Sequence, residues 1–429
     1  MIQNLVKLTQ PKVTNQFPAK ILQLDNGLTV IHQYIPVTPV VVVDVWVDGG
    51  AILEPDDWCG MAHFLEHMVF KGTKKVAPGE FDWVIENCGG MTNAATSHDY
   101  AHFYLTTDRD NLKTTLPYLA EILLYAEIAD EDFYCEKEVV MEEMRSCYDD
   151  PDWMGYQTLV ESLYSRHPYG RPILGDEERI LRMTPNQMRC FHQTYYQPQN
   201  MTVVIVGGVE ENEAMDIVYE NFSEFPAPSE CPSSNIEAEP PLIDIRRSHL
   251  YLPRLEQSRL QMGWTGPGVD RIEDAIGLDL ISVLLGGGRC SRLVQQLREE
   301  HQLVLDVDSA FSLQRDSSLF TINTWLLAPH IQEVENLLCE QLTRLRNQAP
   351  GLEELQRAQK ILCHDYYFST ETPGQLAGLY GYYQILEQPR MSVLYPEIIK
   401  KFTPEDIQRL AHQYLSTQCY AVTIMQPSD

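Results

Sequence analysis

Two histidines and a glutamate fall within five residues of one another, as His63-Phe64-Leu65-Glu66-His67. On a helix, His63 and His67 lie one turn apart on the same face, so two imidazoles can reach one ion. Glu66 stands next to a ligand rather than at ligand spacing, and can hold a water without entering the metal shell. A catalytic zinc ion takes three protein ligands and leaves one position open for water. Such a metal acidifies the water, a carboxylate removes the proton, and a peptide carbonyl can then be attacked at neutral pH. The flanking Met61, Ala62, Phe64, Leu65, Met68, Val69 and Phe70 are apolar. Imidazoles and a carboxylate buried among them are costly unless paired or metallated, which disfavours a mere pair of surface histidines.

His98 and His102 are also four apart. Residues 91–107 read as strand, turn and strand, and four strand residues span about 13 Å, too far for one ion. These two histidines are expected to be structural or to face a substrate. A third ligand should be a carboxylate on a facing helix. The run from Glu136 to Met144 offers Glu136, Glu138, Glu142 and Glu143. Glu136 and Glu143 are two turns apart on one face, but spacing alone does not choose between Glu142 and Glu143.

The elements that must carry these groups follow from the pattern of the chain. Lys20–His32 predicts two short strands about a turn at Asp25-Asn26-Gly27, and Val40–Val47 predicts a strand alternating around Asp44. Helices are predicted near 60–70, 79–87, 109–128 and 131–149, and further strands near 259–264, 305–313 and 319–326. The segment 223–242 holds five prolines and many small polar residues, the composition of a stiff, extended linker. It separates residues 1–222 from residues 243–429. The two parts share a pattern at a constant offset of 219, TPNQMRCFHQTYYQPQNMTVVIV from Thr184 and TPEDIQRLAHQYLSTQCYAVTIM from Thr403. In each, Thr-Pro opens a helix that leads into an apolar strand. A duplicated domain is the expected organisation.

The 429 residues exceed what one core ordinarily organises. A net charge of −29 repels nucleic acid and suits basic peptides, although acidic surfaces also serve solubility alone. Ten cysteines without a C-x-x-C pair read as free thiols. The opening residues have no leader-like apolar core, and no stretch is long enough to span a membrane. A cytoplasmic protein is expected.

The motif His-x-x-Glu-His is the inverted zinc motif of the inverzincins. Together with LDNGLTVIHQ, GMAHFLEHMVFKGT, ENCGGMTNAATSHDYAHFYLT, EKEVVMEEMRSCYDDP and LLGGGRCSRLVQQLRE, the chain resembles the pitrilysin, insulinase and mitochondrial processing peptidase family over nearly its whole length. Its size is similar to that of the two-domain processing-peptidase branch. The resemblance implies a third zinc ligand 76 residues after the second histidine, which is Glu143. It implies Glu136, one face and seven residues earlier, as a supporting group of the catalytic set with Glu66. It implies an edge strand at Gly89-Gly90-Met91-Thr92-Asn93-Ala94 that pairs with substrate backbone. Asn93, Ala94, Phe70 and Arg298 are therefore the expected substrate-contacting residues. The family pattern Arg-x-x-x-x-x-x-Tyr is broken here, because Arg298 is followed by Leu305. Leucine cannot donate to a carbonyl oxygen. Chains lacking that tyrosine often pair with a related subunit, so a dimer is expected.

The expected fold is α+β: two homologous domains, each a mainly antiparallel sheet with helices packed on one side. The expected function is zinc-dependent hydrolysis of peptides or unfolded polypeptides. The alternative is a non-catalytic scaffold or peptide-binding subunit of a larger complex.

Overall fold

A computed structural model describes residues 17–428. Residues 1–16, which carried the expectation of no secretory leader, lie outside the described residues. The first half contains β1 (Lys20–Gln23), β2 (Thr29–Tyr34), β3 (Val40–Val47), α1 (Met61–Val69), α2 (Glu80–Asn87), β4 (Met91–Thr96) and β5 (Ala101–Asp108). It continues through α3 (Leu112–Tyr125), α4 (Asp130–Tyr148), α5 (Pro151–Leu163), α6 (Glu177–Arg182), α7 (Pro185–Tyr195), β6 (Met201–Gly207) and α8 (Glu211–Phe222). The second half contains β7 (Arg246–Leu252), β8 (Ser258–Pro267), α9 (Ile272–Gly286), a π-helical turn at Val294–Glu300, β9 (Val304–Leu313) and β10 (Ser317–Leu326). It ends with α10 (Ile331–Asn347), α11 (Leu352–Phe368), α12 (Pro373–Ile385), α13 (Met391–Ile399), α14 (Pro404–Tyr414) and β11 (Ala421–Pro427).

The strand orders are β1-β2-β6-β3-β5-β4 and β7-β11-β8-β10-β9. Without β1 the two orders are the same topology. Each sheet has one parallel pair, β2 with β6 and β7 with β11, and is otherwise antiparallel. The repeated Thr-Pro helices are α7 and α14. Thr184 and Thr403 each close a capping box, with Gln187 and Asp406.

Helices cover more than one side of the first sheet. Along β3, Val41, Val43, Val45 and Val47 enter the core beneath the first half's own helices. Val42 and Trp46 point the other way and pack against Ala377, Tyr380 and Ile385 of α12. A strand buried on both faces accounts for its nearly unbroken valine run. Its polar residue, Asp44, is buried and bonded to His102 Nδ1 at 3.0 Å. The exchange is mutual. Leu159, Val160 and Leu163 of α5 pack with Leu319 and Ala421 of the second sheet. Helices at matching places in the repeat thus cover each other's sheets.

Residues 224–243 form neither helix nor strand. They lie along the first half. Glu239 accepts from Ser165 Oγ and from the amides of Arg166 and His167, and Ser234 Oγ donates to Ile52 O at 2.7 Å. Among the described residues no helix is long and apolar enough to cross a membrane. All ten cysteines are unpaired.

Candidate metal centre

Helix α1 starts at Gly60, whose φ is +94° and whose absent Cβ would meet Leu174 O at 2.6 Å. Only glycine fits that turn without strain. The buried carboxylate of Glu54 accepts from the amides of Gly60 (2.9 Å) and Ala62 (2.7 Å). These are first-turn amides that lack intrahelical partners. Desolvation pushes the Glu54 carboxyl up to about 8 despite those two bonds. Met61, Phe64, Leu65 and Met68 bury the helix in the core, leaving His63, Glu66 and His67 on the remaining face.

That face meets α4. Ligand atoms of His63, His67 and Glu143 all lie within 4.8 Å of one another. His67 Nε2 is 3.2 Å and His63 Nε2 3.6 Å from the two oxygens of Glu143. Glu142 turns outward and pairs with Arg145. The helix rotation therefore separates two glutamates that spacing could not.

The donor set fits a cation. Burial, reinforced by His67, lowers the His63 pKa to about 4, so its ring is neutral with a free lone pair. Its Nδ1 is buried without a partner. Two imidazoles and one carboxylate, partly open to solvent at Glu143, match a three-ligand zinc site. His67 Nδ1–H donates to Glu136 Oε1 at 3.0 Å, and Glu136 Oε2 pairs with Lys71 at 2.6 Å. That bond turns Nε2 of His67 toward Glu143.

Glu66 stands outside the three-residue group and accepts from Thr96 Oγ1 of β4. Desolvation raises its pKa against the lowering effects of Thr96 and His67. β4 pairs only with β5 and is the edge of its sheet. Asn93 is exposed and Ala94 half-buried, and the Ala94 amide donates to Asn93 Oδ1 at 2.9 Å. The edge strand and the acid beside the metal group are thus joined through one threonine.

The other expected contacts are placed differently. The Phe70 ring turns toward the core, 5.7 Å from Phe81 and 6.1 Å from Phe103 between centroids. Arg298, on the π-helical turn, pairs with Glu299 and Asp306. It lines a cavity with Leu305 that includes none of the metal-group residues. Leu305 is 52% exposed and lies at a bulge in β9. His98 bonds to Arg171 O, and His102 to Asp44 while stacked on Trp46, so neither joins a second metal group. Sequence reasoning missed Glu54, Lys71 and Thr96. Lys71 alone carried a local signal, one helical turn beyond His67.

Comparison with known proteins identifies the family. Residues 29–177 match the family described as Insulinase (Peptidase family M16), and residues 182–362 match Peptidase M16 inactive domain. An uncharacterized zinc protease of Mycobacterium leprae is 28% identical over 94% of this chain and 91% of its own. The Helicobacter pylori zinc protease PqqE is 28% identical over 94% and 92%. The crystal structure of a protease from Helicobacter pylori superimposes with a TM-score of 0.88 at 26% identity, covering 95% of this chain and 99% of that one. With one half bearing the histidine pair and its counterpart matching an inactive domain, the chain belongs to the M16 peptidase family.

Proposed function

We propose that this chain is a zinc-dependent endopeptidase acting on peptides or unfolded polypeptides. The observation that carries the reading is Glu66 held beside, and outside, the group His63, His67 and Glu143. The names of the relatives, zinc proteases, support it. His63, His67 and Glu143 would hold zinc, which supplies Lewis acidity toward a water and the scissile carbonyl. Glu66 takes the proton of the attacking water and returns it to the leaving amine. Burial keeps Glu66 basic enough to accept that proton, and Thr96 fixes its orientation. Glu136 holds the His67 ring in its ligating tautomer. Asn93 and Ala94 of β4 pair with the substrate backbone, the mode by which an exposed edge takes many sequences.

The tyrosine missing at Leu305 is supplied by a related subunit in a dimer, with Arg298 retained on this chain. The ten unpaired cysteines support a reducing, cytoplasmic setting.

Zinc content and cleavage of an unstructured fluorogenic peptide test the centre together, in the presence of a related subunit. His67→Ala should lose stoichiometric zinc. Glu66→Gln should keep zinc and lose hydrolysis by several orders of magnitude. Near-normal cleavage by Glu66→Gln would sink the mechanism. Full zinc without cleavage in the parent protein would favour the scaffold reading.

A further inference from the structure

A second cavity, of about 350 Å³, opens in the other half of the molecule among α9, α11, α12, α13 and the end of β9. Tyr366, Tyr382, Tyr383 and Tyr395 wall it, and Asp279 and Asp365 supply its charge. The rings are held in place. Tyr382 OH donates to Leu313 O at 2.7 Å, Tyr366 OH to Ser392 O, and Tyr395 OH to Asp279 Oδ2. Tyr366 and Tyr395 stack with centroids 6.0 Å apart, and Tyr382 crosses Tyr383 at 5.4 Å.

Asp279 is a desolvated carboxylate with no cationic neighbour. Burial raises its pKa to about 6 against the hydrogen bonds from Tyr395 and Ser282, and the nearby charge of Asp365 adds a little to the rise. Its carboxylate is part-buried and receives the Tyr395 hydroxyl but no cation, so a mobile counter-charge would stabilise its ionised form. The tyrosine rings that line the cavity carry negative potential on their faces. An anion would be repelled by both acids, and a neutral molecule would leave the carboxylate unpaired. A metal ion needs several oxygen ligands, and Tyr395 already occupies one oxygen of Asp279. The volume suits a small molecule.

We propose that this cavity binds an organic ammonium ion, with its charged head between the tyrosine rings and Asp279 as counter-ion. The site is separate from the metal centre and contains none of its residues.

Isothermal titration of the full chain with choline, n-butylammonium and the neutral choline isostere 3,3-dimethyl-1-butanol tests this. At least one ammonium should bind saturably, and the neutral isostere should bind about tenfold more weakly or not at all. Choline tighter than n-butylammonium would point to an alkylated cation. The reverse would point to a primary amine such as a peptide amino terminus. Asp279→Asn removes the charge but keeps an acceptor for Tyr395, and should weaken ammonium binding by about tenfold or more. Tyr383→Leu, checked for folding by circular dichroism, should weaken it several-fold. His67→Ala should bind the ammonium as the parent does. Equal binding of the neutral isostere, undiminished binding by Asp279→Asn, or no binding of either ammonium would overturn the proposal.

Discussion

His63 and His67 share a helix face but not an environment. His63 is buried with no partner at its Nδ1, whereas His67 is oriented through its Nδ1 bond to Glu136. Glu136 is in turn neutralised by Lys71. This chain of contacts makes Glu136 a positioning residue, and it predicts a graded effect. Glu136→Gln keeps an acceptor but loses the charge. Zinc affinity should fall by about 10–100-fold with one zinc still bound at saturation. Competition against a chelator measures this, and unchanged affinity would show that His67 needs no such support. Glu143 and Glu142 show how one helix position decides a role, since 100° of rotation turns one carboxylate to the histidines and its neighbour to Arg145.

Helices α1 and α7 and strand β4 formed close to where local patterns put them. The apolar spacing, the Thr-Pro openings and the strand alternation are short-range signals that tertiary packing did not override. α3 is shorter than its pattern, Leu112–Tyr125, because Asp108 caps Asn111 and starts a 3-10 turn first. The packing of α7 against α3 has a pH signature. His192 is buried, bonds to Leu123 O at 2.7 Å, and has its pKa lowered to about 4 by desolvation. Unfolded, it titrates near 6.5. Between these values the unfolded chain binds the extra proton, so stability falls as pH drops from about 6.5 towards 4. At pH 5 this group alone removes about 2 kcal/mol relative to neutral pH, at about 1.4 kcal/mol per pH step. His192→Gln keeps a donor and should lose less stability than the parent between pH 7 and pH 5 by that amount, in urea unfolding at both pH values. Parallel losses would mean that the ring is solvated.

Each half covers part of the other's sheet, so the molecule should unfold as a coupled pair. The contact is tight at Gly381, where an added Cβ would lie 2.0 Å from Trp46 Nε1. Trp46 is buried and stacked on His102 and cannot retreat easily. Gly381→Ala should cost about 1–3 kcal/mol by urea unfolding, and no loss would mean that α12 rides loosely on the sheet. Assembly is tested at the bulge in β9. Leu305 is exposed beside Arg298 rather than in the core. Alone, the chain should cleave peptide weakly, and a related subunit carrying the tyrosine should restore activity. One oxyanion donor is worth about a hundredfold or more, so Leu305→Tyr should raise the isolated chain's rate toward that of the mixture. An isolated chain as fast as the mixture would end the split-site idea.

The shared face of His63, Glu66 and His67 was legible before any fold was known, because the three sit on one helical turn and a helix has a fixed geometry. The α+β repeat was legible for a similar reason, since Thr184 and Thr403 open the same local pattern twice. Glu143 needed the family resemblance, because 76 residues of chain between two helices fix no angle between them. Thr96 and Glu54 needed the three-dimensional structure. Each meets α1 through a turn or sheet edge whose approach no periodicity encodes. The crossing of α5 and α12 onto opposite sheets was hidden in the same way. The β3 run reads in sequence only as alternation around Asp44, and the structure buries both of its faces; a run of valines is in any case blind to which segment provides the cover. That partner was decided only when long-range packing matched Gly381 to Trp46 and brought α12 down on the sheet.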